Sequence, residues 1–424
     1  MRRAILPAGT PPVAAMQAWV FGVGRRLNRV FLVAALALMA QPALAQDAPA
    51  EGEISPPAPA PVDQPHGSKH GGFLDPFYDD EDGKLDFSES LMTGGFFPMP
   101  VIITEPAVDG GFGVVAQFVD MTPGQPQRTT RRMLGGIKTG NGSYGIGYFQ
   151  SGQAFDGRVS YKFGIGHGKI SLDMYPAFAP DGIEYTNKYQ YGIFGSARLH
   201  LADPRFSLGP IVDFRGLKTS VELPAIEGVP DDFPSDFQRK LTTGALGFGM
   251  HFDSRDNAVT PRSGFNAFVE GKFNSDSFGS DRNFEIYDAD VYAFYPLAEK
   301  WTLGAKTEVD AARGDFPSFF APSVDLRGVQ AGRYQGSTAW SSEVEVTRQL
   351  FPRWSVVGFA GYGTAYAGSS KFFEDSGAVF AGGGGFRYRI ARKLGVDAGM
   401  DVAFGPDGAI FYIQFGHAWS MGMD

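Results

Sequence analysis

The chain has 424 residues, no cysteine, 57 glycines, 38 phenylalanines, 14% aromatic residues, a net charge of −9 and a mean hydropathy of −0.13. Absent cysteine removes disulfides from the problem, and the acidic balance offers no basic patch for nucleic acid. So many aromatics and glycines, with apolar and polar residues alternating, are too many for an ordinary soluble enzyme; they fit a membrane β-barrel, a β-sandwich or a propeller.

The N-terminus predicts export. Arg25, Arg26 and Arg29 precede an apolar run from Val30 to Met39, and Pro42 to Ala45 place small residues at a cleavage site. Residues 1–45 therefore read as a secretory signal peptide with Gln46 first in the mature chain. The leader is long enough that translation could begin at Met16, and the residues after Arg25-Arg26 fit twin-arginine export poorly. The run is too short to span a bilayer as a helix, and no later run is long enough.

Residues 46–95 form a tail and lead-in. The stretch 46–72 is rich in Pro, Ala, Gly and Asp and reads as a flexible periplasmic tail. Residues 73–107 read as a short ordered lead-in ending in Phe97 to Pro106. Within it, 78–89 follows calcium-loop spacing, with Asp80, Asp82, Asp86 and Glu89 as candidate ligands. Its first position is Tyr78 where an acid belongs, so an acidic turn is the competing reading.

The barrel is expected over 96–424. Period-two segments run near 110–120, 131–139, 143–151, 157–166, 168–176, 184–201, 205–219, 241–253, 263–275, 282–296, 300–312, 338–349, 353–366, 378–390, 393–405 and 408–419. That is sixteen, an even number, as bacterial single-chain barrels require. The connections after segments ten, twelve and fourteen are tight, whereas 220–240 and 313–337 are long and follow odd segments. A sandwich has no reason to sort its loops this way. The fold class is all-β: a transmembrane antiparallel barrel of sixteen strands.

Alternation also assigns faces. In the last segment Phe411, Ile413, Phe415 and Trp419 share the face expected toward lipid, with Trp419 in an interfacial aromatic girdle. Asp397, Asp401, Arg387, Arg389, Glu343 and Glu345 then point into the lumen. The connection 313–337 carries Leu326, Arg327 and Gly328. A planar guanidinium suits wall carboxylates better than a loop tip, so this loop reads as an inward-folded plug, or else as a solvated basic loop. As a plug, its Arg327 has Asp401 as first partner, then Glu343, Glu345 or Asp397.

These residues carry a resemblance. Asp253, Arg255, Asp256, Asn257, Pro261 and Gly264 form a turn signature, Leu326-Arg327-Gly328 an Arg-Gly loop motif, and Phe411 to Trp419 a terminal-strand signal. In this order they resemble the BamA/TamA outer-membrane barrel superfamily, the bacterial surface antigen type, over about residues 96–420. The Arg-Gly loop falls sixth among the outer loops, where that family has it. The resemblance implies a barrel-only member without POTRA modules, with movement or insertion of protein or lipid at the outer membrane through a weak seam between first and last strands. It also implies outer-membrane lipid and lipopolysaccharide as surroundings, the barrel-assembly machinery during biogenesis, and an unidentified protein or lipid client.

The departures are specific. Gly361 stands where an aspartate is usual, Val329 where an aromatic follows Arg-Gly, and Ser420 to Asp424 extend past the usual final aromatic. The alternative function is a gated small-solute pore. An enzyme is not expected: the six histidines are dispersed, and no Gly-x-Ser-x-Gly elbow or metal-spaced cluster occurs. No cofactor is implied.

Overall fold

The computed structural model describes residues 78–79, 81–88, 95–122, 125–176, 182–222, 236–368 and 372–419. Sixteen antiparallel strands follow one another in a single sheet that curls into a nearly closed barrel. They are β1 (Gly95–Ile103), β2 (Gly111–Thr122), β3 (Gln125–Thr139), β4 (Tyr144–Ala154), β5 (Val159–Met174), β6 (Ile183–His200), β7 (Phe206–Glu222) and β8 (Asp236–Asp253). The second half continues with β9 (Gly264–Asn274), β10 (Phe284–Ala298), β11 (Trp301–Gly314), β12 (Thr338–Phe351), β13 (Trp354–Tyr366), β14 (Val379–Ala391), β15 (Val396–Gly405) and β16 (Gly408–Phe415). Every strand pairs with its sequence neighbours, so all even-to-odd connections lie at one end of the barrel and all odd-to-even connections at the other. These are called the turn end and the loop end below.

The expected count of sixteen was reached through two compensating differences. The segment Phe97 to Pro106, read as lead-in, supplies β1, whose Pro98 and Pro100 hid it: proline cannot donate to a ladder and marks a central strand as doubtful. Both prolines sit at outward positions on a strand whose described pairing is with β2 alone. Conversely, the segments 157–166 and 168–176 are one strand, β5. The register shift opposite Gly166 and Gly168 lies in β6, and β5 keeps one alternation throughout, with Phe163, Ile165, His167 and Asp173 outward and Ile170, Leu172 and Met174 buried. Gly164, Gly166 and Gly168 interrupt the apolar pattern and made one strand read as two.

The outer surface follows the pleat. Along β13 Trp354, Val356 and Tyr366 face outward while Ser355, Val357 and Phe359 are buried. Outward aromatics gather at both levels, with Tyr295, Trp301, Phe351 and Trp354 near the turn end and Phe112, Tyr366, Phe380 and Phe404 near the loop end. This two-girdle arrangement suits a bilayer, whose interfaces favour amphipathic rings. No helix among the described residues is long and apolar enough to cross a membrane.

The lumen is filled, in two layers. Toward the loop end, an apolar cluster joins Val101, Leu172, Tyr185, Leu217 and Leu241 of the wall to Phe319, Phe320, Phe372 and Phe373 of the long connections. Deeper, the layer turns ionic.

Candidate functional site

The connection between β11 and β12 opens with a 3-10 turn, Ser318–Phe320, that puts Phe319 and Phe320 into the apolar layer. It then descends with Val324, Leu326 and Val329 each almost wholly shielded. The expectation of an inward-folded loop describes this chain path; the solvated reading does not. Next to Arg327, Gly328 adopts φ +93°, a conformation side chains resist, and a Cβ there would press on Ala381, Ala403 and Phe404 from 3.1–3.2 Å.

Arg327 occupies the centre. Its Nε and Nη2 donate to Glu343 Oε1 at 2.9 and 2.7 Å, Nη1 donates to Asp401 Oδ2 at 2.9 Å, and Nη2 lies 2.7 Å from Glu345 Oε2. The guanidinium stacks 3.5 Å above the Phe359 ring, which excludes water from one face and adds a cation–π attraction. Side-chain exposure is 8% for Arg327 and 1%, 2% and 0% for its three carboxylates. In such shielding a bidentate guanidinium–carboxylate pair is much stronger than in water.

A second arginine shares the charge. Arg387 of β14 donates to Asp401 from Nη1 at 2.5 Å and Nη2 at 2.9 Å. Two arginines thus face three carboxylates. Beside them Lys306 of β11 donates to Glu308 Oε2 at 2.9 Å and to the loop carbonyl of Asp325 at 3.1 Å, fixing the descending chain to the wall.

The predicted partners divide three to one. Asp401, Glu343 and Glu345 meet Arg327, whereas Asp397 pairs with Arg389 and lies nearer the turn end. Gly361, the departure from the family pattern, also gains a reason: a Cβ there would meet Leu326 Cδ2 at 2.7 Å, so the plug fills the space a side chain would need.

Trp419 is a correction. Phe411 faces outward and Ile413 and Phe415 are half-exposed, but Trp419 does not join them at the lipid interface. The chain leaves β16 at Gly416, whose φ is +75°, and turns into the lumen. Trp419 there packs against Phe268, Tyr292 and Phe294 of the facing wall and donates its indole N–H to Glu343 Oε1 at 2.7 Å. His417 Nε2 lies 3.1 Å from Glu345 Oε1. Period-two reasoning carried the strand four residues too far. Val396, the first residue of β15, is likewise covered, by Val259 and Leu394.

The plug touches β16 and the connection that leaves β1. Gly328 N–H donates to Tyr412 Oη of β16 at 2.9 Å, and Ala331 N–H donates to Glu105 Oε1, in the connection between β1 and β2, at 3.2 Å. No sequence pattern marked Tyr412, Glu105, Lys306 or His417: Glu105 fell in the lead-in, His417 shares the parity of residues expected toward lipid, and parity in any case does not name a partner.

The turn signature closes the turn end. Arg255 donates twice to Asp253, from Nε at 2.9 Å and Nη2 at 2.6 Å, and once to Ala258 O. Asp256 accepts from the Arg262 and Ser263 amides, and Gly264 takes φ +103°. This rigid turn lets Asn257 donate to Leu394 O at 3.0 Å, while Val259 O accepts from His417 N–H at 2.7 Å. The turn thus spans from β8–β9 to the β14–β15 turn and the chain beyond β16. Pro261 and Thr260 line a polar cleft between this turn and the ionic layer, with Lys300, Thr347 and His417.

No protein-family model and no curated protein sequence matches the chain. Solved structures do. BamA from Haemophilus ducreyi lacking POTRA domains 1–3 superimposes with a TM-score of 0.53 at 14% identity, over 76% of this chain and 69% of that one. CdiB from Acinetobacter baumannii gives 0.51 at 10%, over 76% and 59%, and CdiB from Escherichia coli 0.53 at 10%, over 75% and 61%. The chain spans about three fifths of the CdiB chains it matches. At these identities the likeness is one of fold, and the fold is that of a BamA-like sixteen-stranded barrel.

Proposed function

We propose that this is an outer-membrane barrel that moves or inserts protein or lipid at its wall, without enzymatic chemistry of its own. The observation that carries the reading is the plug. It fills the lumen with an ionic layer and an apolar one, and it bonds to both sides of the β1/β16 seam through Glu105 and Tyr412. A pore for solutes has no use for a plug wired to its seam. A wall that parts does, because the same element can hold the seam shut and register its opening. β1 suits such a seam, since Pro98 and Pro100 deprive it of two donors. In this orientation the loop end faces outside and the turn end the periplasm, as the sorting of long and short connections implies.

Planar-bilayer recording of the purified barrel tests the reading. Mostly closed current with brief flickers is expected. A large, steady open conductance would replace it with the gated small-solute pore.

A further inference from the structure

The lead-in ahead of β1 does something the plug does not. Residues 79 and 81–86 belong to a tight turn, with Asp79 N–H donating to Lys84 O at 2.9 Å, Gly83 N–H donating to Asp79 O at 2.8 Å, and Tyr78 bridged to Leu85. This turn presents its carboxylates to two arginines of the turn end. Arg353, between β12 and β13, donates to Asp79 at 2.7 Å, to Asp82 at 2.6 and 2.8 Å, and to Asp86 at 2.9 Å. Arg392, between β14 and β15, donates to Asp79 at 2.6 Å and lies 2.6 Å from Glu81. Main-chain bonds continue the contact: Phe87 N–H donates to Ile390 O at 2.7 Å, Arg392 N–H to Asp86 at 2.9 Å, and Lys393 N–H to Ser88 Oγ at 3.0 Å. Asp82 and Asp86, candidate calcium ligands by spacing, are therefore arginine partners; Asp80 and Glu89 lie outside the described residues.

Topology gives the contact its meaning. β1 starts at the turn end, so Gly95 lies on the same rim as Arg353 and Arg392. Barrel closure sets β1 beside β16, two strands from the β14–β15 turn. Two strand spacings are about 10 Å, and the six residues between Ser88 and Gly95 reach roughly 20 Å or more, so the span is easily made across the seam. The acidic turn is covalently continuous with β1 and is held by the opposite side of the gap.

We propose that residues 79–88 form an ionic latch that straps the β1/β16 seam shut at its periplasmic end. The latch rests on the seam reading given above and adds its control: the seam parts at this end only when Asp79, Asp82 and Asp86 leave Arg353 and Arg392. The occupant that displaces them is an acidic segment competing for the same two guanidiniums, since their forks accept any well-placed carboxylate pair.

Hydrogen exchange of the full barrel in nanodiscs separates the two ideas. In the wild type, β1 amides exchanging faster than those of β7 would support the seam, and equal protection would overturn it whatever the latch does. In D79N/D86N, which keeps shape and removes charge, amides of 81–88 and of the turn-end half of β1 are expected to exchange about tenfold faster, while β7 stays unchanged. Oxidised S88C/K393C, a covalent latch in a chain without native cysteine, is expected to restore β1 to wild-type protection or better. Should D79N/D86N fail to fold, D79N alone, which removes the carboxylate shared by Arg353 and Arg392, gives the same comparison. Faster exchange of 81–88 with β1 unmoved would overturn the latch, as would unaltered protection of 81–88.

Discussion

Two arginines in this barrel each meet three carboxylates, and the contrast between them is instructive. Arg327 is carried by a loop and finds Glu343, Glu345 and Asp401 on the wall. Arg353 is carried by the wall and finds Asp79, Asp82 and Asp86 on the segment before β1. In the lumen all four groups are shielded, and a second arginine and an indole complete the layer. At the rim Arg353, Asp79 and Asp86 are shielded too, but Asp82 remains 31% exposed, and Glu81, which pairs with Arg392, is 70% exposed, so water waits beside part of the cluster. Equal valence therefore gives unequal strength. A buried charge that loses its partner has nowhere to go, whereas a rim carboxylate rehydrates.

The largest expected effect is thus at Arg327. Removing one member of a buried, hydrogen-bonded set typically costs about 3–5 kcal/mol because the others are stranded, and the shielding of Glu343, Glu345 and Asp401 puts Arg327 in that range. Arg327→Ala should lower the temperature at which the barrel loses its heat-modifiable gel mobility, raise bilayer conductance and sensitise cells to large antibiotics. Asp401→Ala should resemble it, and the double mutant should be little worse than either single change. Additive effects would show that the two residues act apart.

Trp419 comes next. Trp419→Ala opens a void beside Tyr292 and Phe294, for which about 3 kcal/mol is typical in a well-packed core, and frees Glu343 Oε1 of its indole donor. Trp419→Phe keeps most of the packing and should cost roughly 1–2 kcal/mol, the share of the hydrogen bond. Were Trp419 in the lipid girdle instead, both variants would leave thermal gel mobility nearly unchanged.

The rim should respond less to mutation and more to solution conditions. Burial works against ionisation of Asp79, but the Glu81 amide, Arg392 and Arg353 outweigh it and hold the carboxyl below its ordinary range. Asp82 and Asp86 are lowered in the same way, by Arg353 together with the Lys84, Ser88 and Arg392 amides, again against burial. Lys84 and Lys393 are the other cations nearby, and Tyr388 Oη donates to Leu85 O. A carboxyl whose folded value is depressed stabilises fully above its unfolded value, near 4, and loses that contribution as pH falls through the lowered folded value. Protection of 81–88 should therefore persist at pH 5 and weaken progressively as the pH falls below about 4. Arg353→Gln should release the segment at neutral pH while shifting barrel melting only slightly.

The smallest perturbation tests the placement of the two sites at opposite depths. Single cysteines at Asp231 and at Glu299, in the Pro296–Lys300 turn, should alter neither fold nor stability. An impermeant maleimide on intact cells should label the first and spare the second. The reverse pattern would invert the barrel.

Most of the architecture was legible because a barrel wall obeys a local rule. Period-two alternation needs only neighbours, and it marked the strands from β6 onward, the sorting of loops and the inward parity of Glu343, Glu345, Asp397 and Asp401. The rule fails where the chain departs from simple pleating. Pro98 and Pro100 masked β1, and Gly164, Gly166 and Gly168 interrupted the apolar pattern of β5 so that it read as two segments. It is silent about what crosses the lumen. Trp419 reaches Glu343 across 76 residues of sequence and Arg353 reaches Asp86 across 267, and nothing local distinguishes those partners from others of equal parity. An amphipathic strand needs only a wet side and an oily side to declare itself. Which inward carboxylate an arginine grips depends on where a loop and two chain ends come to rest, and closure of the barrel alone decides that.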